Sequence, residues 1–168
     1  IDGPDRQREP TKAITNLHNA LRGRLAFMPS VKADLRPSQL TLTPSAPADL
    51  EAVWTGIHEL IDEYQLHGIR LMRSSHSIDA VDRAASKLNV VNAMGNPEEI
   101  LRIGDRGRWP GNDYELLAHP LGLSVDQVSG HPEECWNISP PGVLGTSATL
   151  YYLSAITPGS GQIRLNLR

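Results

Sequence analysis

A chain of 168 residues with a net charge of -3 is the size of one domain, or of one domain with a small appendage. That length buries a real core, and the faintly acidic balance excludes a global pull toward nucleic acid or an anionic membrane. The single cysteine, Cys135, excludes an intrachain disulfide framework and fits a reducing, cytoplasmic setting. No apolar run approaches the length of a membrane span, and the N-terminus carries no readable secretory leader. The chain opens Ile1-Asp2-Gly3-Pro4 rather than with Met, as a processed, trimmed or partial chain does.

In chain order, residues 1–10 are polar, contain Pro4 and Pro10, and read as a tail. From Lys12 to Leu25 the apolar residues Ile14, Leu17, Leu21 and Leu25 recur at helical spacing. Residues 26–37 read as irregular, with Pro29 and Pro37 as breakers. Gln39-Leu40-Thr41-Leu42-Thr43 alternates as a half-buried strand does. A long helix follows, with Ser45 as its cap and Pro47 in its first turn. Its stripe of Leu50, Val53, Trp54, Ile57, Leu60, Ile61 and Tyr64 faces the core, and His67-Gly68 ends it.

Ile69 to Arg73 alternates again and pairs with Ser77 to Val81 across the turn Ser74-Ser75-His76. Ser86 to Met94 reads as a helix ended by Gly95-Asn96, and residues 99–104 as a short buried strand. A helix from Tyr114 to about Ala118, a strand over Leu121–Val125 and loops over 126–143 come next. Gly145 to Ile156 reads as the last helix and Ile163 to Leu167 as the last strand. Helices and strands thus alternate, and the class is α/β or α+β. There is no internal repeat and no low-complexity tract.

The loop after strand 99–104 is the most informative stretch: Gly104-Asp105-Arg106-Gly107-Arg108-Trp109-Pro110-Gly111-Asn112-Asp113. It holds two carboxylates and an amide at a strand's C-terminal end, the edge where open α/β sheets bind ligands. Hard cations such as Mg²⁺ prefer oxygen donors of this kind. A solvated surface loop carrying ordinary acids is the competing reading.

Taken in order, four features resemble the haloacid dehalogenase superfamily. They are Ile78-Asp79 closing a hairpin, Lys87 opening the next helix, Gly104-Asp105, and Asn112-Asp113. The resemblance spans residues from about 35 to 126 and points to the branch with a large α/β cap. That branch includes sucrose-phosphate phosphatase and the Cof-type sugar phosphatases. It implies an α/β fold: a cap-like segment over 11–84, then the C-terminal part of a Rossmann-like core over 85–168. It implies a Mg²⁺-dependent phosphomonoesterase acting on a sugar phosphate or a similar small phosphorylated metabolite. By the same resemblance Lys87 takes the catalytic lysine role, a point charge beside the transferring phosphoryl group. Asp105 and Asp113 become the Mg²⁺ carboxylates, and Asn112 either orients Asp113 or joins the metal's shell. The hairpin residues Arg70, Arg73, Ser74, Ser75 and His76 either read the substrate, as the family's cap does, or form an ordinary polar turn.

Two departures shape the expectation. The acidic loop is longer than the family's by residues 107–110, so Arg108 and Trp109 either meet the substrate at the site mouth or form a packed crossing. The D-x-D motif that supplies the family's nucleophile, and its Ser/Thr strand, are absent. Asp2 looks like the end of such a motif but lacks its first aspartate, and it precedes the cap-like strand too closely. The chain alone is therefore expected to be inactive, with its nucleophile in another polypeptide or in a longer parent. A second polypeptide or second copy is expected over the open sheet edge beside Ile100, Leu101 and Ile103. The rival reading is a non-catalytic binding or assembly subunit that keeps the fold without the chemistry. The histidines at 18, 58, 67, 76, 119 and 131 show no metal spacing, and no Ser-His-acid triad or Gly-rich phosphate loop is readable.

Overall fold

A computed structural model describes residues 9–24, 30–159 and 162–166. Asp2, most of the expected tail, and Leu25 with the residues to Pro29 lie outside the described residues. The chain divides into two compact units, residues 1–86 and 87–168.

Among its described residues the first unit is an antiparallel sheet with two α-helices. Its helix α1 runs Lys12–Gly23, and its strands are β1 (Val31–Arg36), β2 (Gln39–Pro44), β3 (Ile69–Arg73) and β4 (Ile78–Asp82), in sheet order β1-β2-β4-β3. Helix α2 spans Leu50–Glu63. On β2, Leu40 and Leu42 are buried while Gln39, Thr41 and Thr43 are half-buried, so a period of two drives one face inward. That face meets Ile14 and Leu17 of α1 and Val53, Ile57 and Leu60 of α2 in one core.

Several expectations are corrected here. Residues 31–36, read as irregular, form β1 and pair with β2 from Val31↔Pro44 to Arg36↔Gln39. Their exposed Lys32 and Arg36 mask the strand in the sequence, and such charges suit an edge strand. Pro37 sits in the tight turn between the two strands and breaks nothing. Helix α2 begins after a 3₁₀ turn at Pro47–Asp49, and the Ser45 hydroxyl donates to the Ser30 carbonyl (2.7 Å) instead of capping the helix. It ends at Glu63, where Gln65 takes the left-handed φ of 52° and the Leu66 N–H closes on the Ile61 carbonyl (2.9 Å). That is the glycine-type helix stop made by a glutamine, so Gly68 is not the terminator. Trp54 is half-buried against the core and tilts onto the His58 ring at 4.5 Å.

Ile57 is 0 % exposed at the centre of this core. Ile57→Ala should destabilise the protein by about 2–5 kcal/mol, lost burial plus the cavity left behind. Urea denaturation followed by circular dichroism measures it; a shift below ~1 kcal/mol would mean that the site collapses around the gap.

The second unit contains α3 (Leu88–Ala93), β5 (Arg102–Arg106), α4 (Tyr114–Leu117), β6 (Gly122–Gln127), α5 (Gly145–Ala155), and the hairpin β7 (Ile156–Gly159) and β8 (Gln162–Leu165). β5 and β6 run parallel, in register from Arg102↔Gly122, with α4 between them in sequence. Within the loop-rich stretch 126–143, Trp136 adds a single parallel bridge to Leu123. Leu123, Val125, Ala148 and Tyr152 form this unit's core, with Leu101 and Ile103 packed against it. The Tyr152 hydroxyl donates to the Ser124 carbonyl (2.9 Å) and accepts from the Ile138 N–H (3.2 Å), tying α5 to β6 and the following loop.

The expected strand 99–104 starts later. Pro97–Glu99 is a 3₁₀ turn, and the buried Arg102 guanidinium donates back to the Pro97 carbonyl at 3.0 Å. Arg102, a middle residue of the span read as a short buried strand, thus opens it. The last helix stops at Ala155, and Ile156 begins a strand instead. Among the described residues no strand pairs with the other edge of β5, and no helix is long and apolar enough to cross a membrane. Both units mix helices with sheets, so the class is α/β.

Candidate functional site

The acidic loop leaves the C-terminal end of β5 and returns at α4. Asp113 is the residue just before α4, and it is buried. Its Oδ2 accepts the backbone N–H of Asp105 at 2.9 Å and that of Arg106 at 3.5 Å. Its Oδ1 accepts from Lys87 Nζ in an ion pair. The carboxylate is therefore fixed to the end of β5 on one side and neutralised on the other.

Two glycines make this fold-back possible. A Cβ on Gly104 would lie 2.6 Å from Asp113 Oδ2, and one on Gly111 would lie 2.3 Å from the Arg106 carbonyl oxygen. Only hydrogen fits at either point, which is the physical content of the glycines flanking the acids.

The two acids differ in charge balance. Partial burial, then the hydrogen bond and negative charge of the neighbouring Asp113, push the Asp105 carboxyl above its ordinary value. Burial works in the same direction on Asp113, but the hydrogen bonds from Lys87 and the Asp105 backbone outweigh it and hold that carboxyl below its ordinary value. Asp105 is 54 % exposed, with Arg106 Nε 3.9 Å away. Among the described residues no donor reaches the buried Asn112 Oδ1.

These donors suit a hard cation as part of a site. They are all oxygens, two of them on mutually repelling carboxylates, and the orphaned Asn112 oxygen lies next to Asp113 in the loop. They do not fill a coordination sphere: among the described residues no group of three or more His, Cys, Asp or Glu side chains is gathered to hold a metal.

The inserted residues form a turn closed by the Gly111 N–H on the Arg108 carbonyl (2.7 Å). Trp109 is 57 % exposed and meets the Tyr114 ring edge-on, with centroids 5.6 Å apart. It is thus held by the first residue of α4 while keeping an open surface.

The other sequence-derived candidates, Arg70, Arg73, Ser75 and His76, belong to the first unit. Arg73 pairs with Glu51 at 2.6 Å, and Arg70 Nη2 donates to the Ala85 carbonyl at 2.9 Å. The Ser74 hydroxyl accepts the backbone N–H groups of His76 (3.2 Å) and Ser77 (3.0 Å), and Ser75 Oγ lies 3.3 Å from His76 Nδ1. The turn is bonded within itself. A cavity of about 360 Å³ in the same unit, lined by Val31, Val53, Leu60, Arg24 and Glu59, involves none of the predicted site residues.

For two polar residues named in the sequence reading, Asp79 and His119, burial was not foreseen. Asp79 Oδ1 accepts from Thr41 Oγ1 (2.7 Å) and Gln39 Nε2 (2.8 Å). The signal was present as polar residues in matching positions of neighbouring strands, with Thr41 directly opposite Asp79. His119 is buried between the Leu121 N–H, accepted at 3.1 Å, and Glu98, 3.1 Å from its Nε2.

Cys135 is 2 % exposed, with the Ser129 N–H on its sulfur at 3.3 Å. Burial pushes its thiol up despite that hydrogen bond. Less thiolate at neutral pH, and less access, should slow alkylation by iodoacetamide at least about tenfold against the unfolded chain. Equal rates in native buffer and in guanidinium would contradict that burial.

No family model matches the chain, and no curated protein matches it. Among solved structures, the chain is similar to an N-terminally truncated, IMP-bound IMP-nucleotidase of Plasmodium falciparum, with 12 % identity and a TM-score of 0.42. The alignment covers 72 % of this chain, which spans 34 % of that one.

Proposed function

We propose that this chain is the cap-and-core part of a Mg²⁺-dependent phosphomonoesterase of the haloacid dehalogenase type, acting on a small phosphorylated metabolite such as a sugar phosphate. The observation that carries the reading is the meeting of Lys87, Asp105 and Asp113 at the C-terminal end of β5. Residues far apart in sequence converge there in the order the resemblance implies. Asp105, Asp113 and Asn112 would hold Mg²⁺, which would shield a phosphate's charge from an attacking group. Lys87 supplies a cation at the edge of the same carboxylates, half-exposed and so within reach of an anionic ligand. Trp109 offers an open ring on the same loop for the substrate's organic part.

The attacking aspartate would come from another polypeptide or from further chain. The outer edge of β5 is where such a strand would pair, with Leu144, Leu150 and Leu153 of the α5 region exposed in the same unit. By itself the 18.4 kDa chain should therefore self-associate, which light scattering on a sizing column detects. The functional test compares the recombinant chain with material isolated with its natural companions, against a panel of phosphomonoesters in Mg²⁺. Turnover is expected in the second alone. In that active material Lys87→Met should cut turnover about a hundredfold, the usual loss of one preorganised charge contact. Undiminished turnover by the variant, or none in any companion-bearing preparation, would refute the reading.

A further inference from the structure

We propose that the cavity of the first unit is a binding site for a small organic cation, a protonated amine on a compact hydrocarbon body. It belongs wholly to that unit and needs no part of the reaction proposed above. The cavity measures about 360 Å³, the room that about a dozen waters take in the liquid, and so fits a ligand of about ten non-hydrogen atoms. Its walls come from one face of α2, from Arg24 just past α1 and from the start of β1. Val53, Gly56 and Leu60 recur at helical spacing on that face, and the buried Val53 and Leu60 give the cavity an apolar floor. A glycine inside a helix costs stability against alanine or leucine. At Gly56 the missing side chain is part of the cavity's room; a leucine there would favour the helix and fill the space.

The polar residues around this floor leave negative charge in excess. Arg24 gives its guanidinium to Glu63, which is not among the residues that line the cavity. Asp49 is half-buried, and among the described residues its carboxylate receives only the Ser30 hydroxyl, at 3.4 Å. Among the described residues none donates to the Glu59 carboxylate. Two carboxylates with acceptor capacity to spare therefore border an apolar floor. An ammonium group answers them with three donors and a positive charge, while a hydrocarbon body covers Val53 and Leu60. An anion would meet repulsion from the same two groups, and a neutral ligand of the same shape would forgo the charge.

The test is an amide NMR titration of the ¹⁵N-labelled full chain with cyclohexylmethylamine, its neutral counterpart cyclohexylmethanol and the anion cyclohexylacetate. The amine should shift the amides of Val31, Val53, Gly56 and Leu60. It should bind about tenfold more tightly than the alcohol, the gain from one charge-assisted hydrogen bond. The anion should not bind. Glu59→Gln should weaken the amine about fivefold, the size of an exposed charge pair. Gly56→Leu should remove the binding of amine and alcohol alike. Gly56→Ala, which narrows the cavity less and favours the helix, should weaken both and decides the matter if the leucine form does not fold. No shift at those amides, equal affinity for amine and alcohol, or an amine affinity indifferent to Glu59→Gln and Gly56→Ala would overturn the proposal.

Discussion

Asp113→Ala should be among the most damaging single changes in the second unit, costing about 2–4 kcal/mol. Truncating one partner of a fully buried ion pair costs ~3–5 kcal/mol, and the half-exposed Lys87 reduces that because water can take its ammonium. What cannot be recovered is the acceptor for the Asp105 and Arg106 N–H groups, which pull the loop onto the end of β5. Asp113→Asn keeps an oxygen for those donors and removes the charge. It should therefore fold nearly as well as the wild type while losing divalent-cation binding. Thermal unfolding and calorimetry on both variants separate the two roles. Equal stability of Ala and Asn forms would mean that the backbone bonds to Asp113 Oδ2 do not hold the loop.

Gly111→Ala should be as severe, by about 3 kcal/mol or more, and for a steric reason. Its Cβ would sit 2.3 Å from the Arg106 carbonyl oxygen and 2.7 Å from that of Arg108. Both obstacles are backbone, so the loop itself must open, and large losses of this kind follow from strain that nothing nearby can absorb. The opening would carry Asn112 and Asp113 away from β5, so cation binding should fall together with stability. Amide hydrogen exchange should show lost protection at Asp105 and Gly107, whose N–H groups bond Asp113 and Gln127. Unchanged protection at those amides would contradict the packing described.

Why the sequence displayed some of this and hid the rest follows from what each element rests on. α2 was legible because apolar positions repeat along one face, and burial follows that repeat through Leu50, Val53, Ile57 and Leu60, while Tyr64, counted in the same stripe, lies past the helix end and is exposed. The β3–β4 hairpin was legible from alternation and a polar turn. β1 was hidden because an edge strand makes few demands on its outward residues, so its pattern is half charge. The start of β5 was misjudged because burial of Arg102 depends on carbonyl acceptors at Pro97 and Leu116, and no local pattern announces them. At the candidate site the residue types were legible: two acids, an amide and glycines at the end of β5 and on the loop after it. The ion pair between Lys87 and Asp113 was not, because it spans 26 positions and exists only once α3 and the loop are folded. The buried Thr41–Asp79 contact was missed for the same reason.

The central proposal is that the end of β5 and the loop after it form a divalent-cation site through Asp105, Asn112 and Asp113. Mn²⁺ titration of the ¹⁵N-labelled chain tests it most directly, because paramagnetic broadening reports where the ion sits. The amides of Asp105, Arg106, Asn112 and Asp113 should broaden first and together, and Asp113→Asn should remove the effect. Broadening scattered over exposed carboxylates such as Glu51 and Glu63, with the loop amides untouched, would contradict the account.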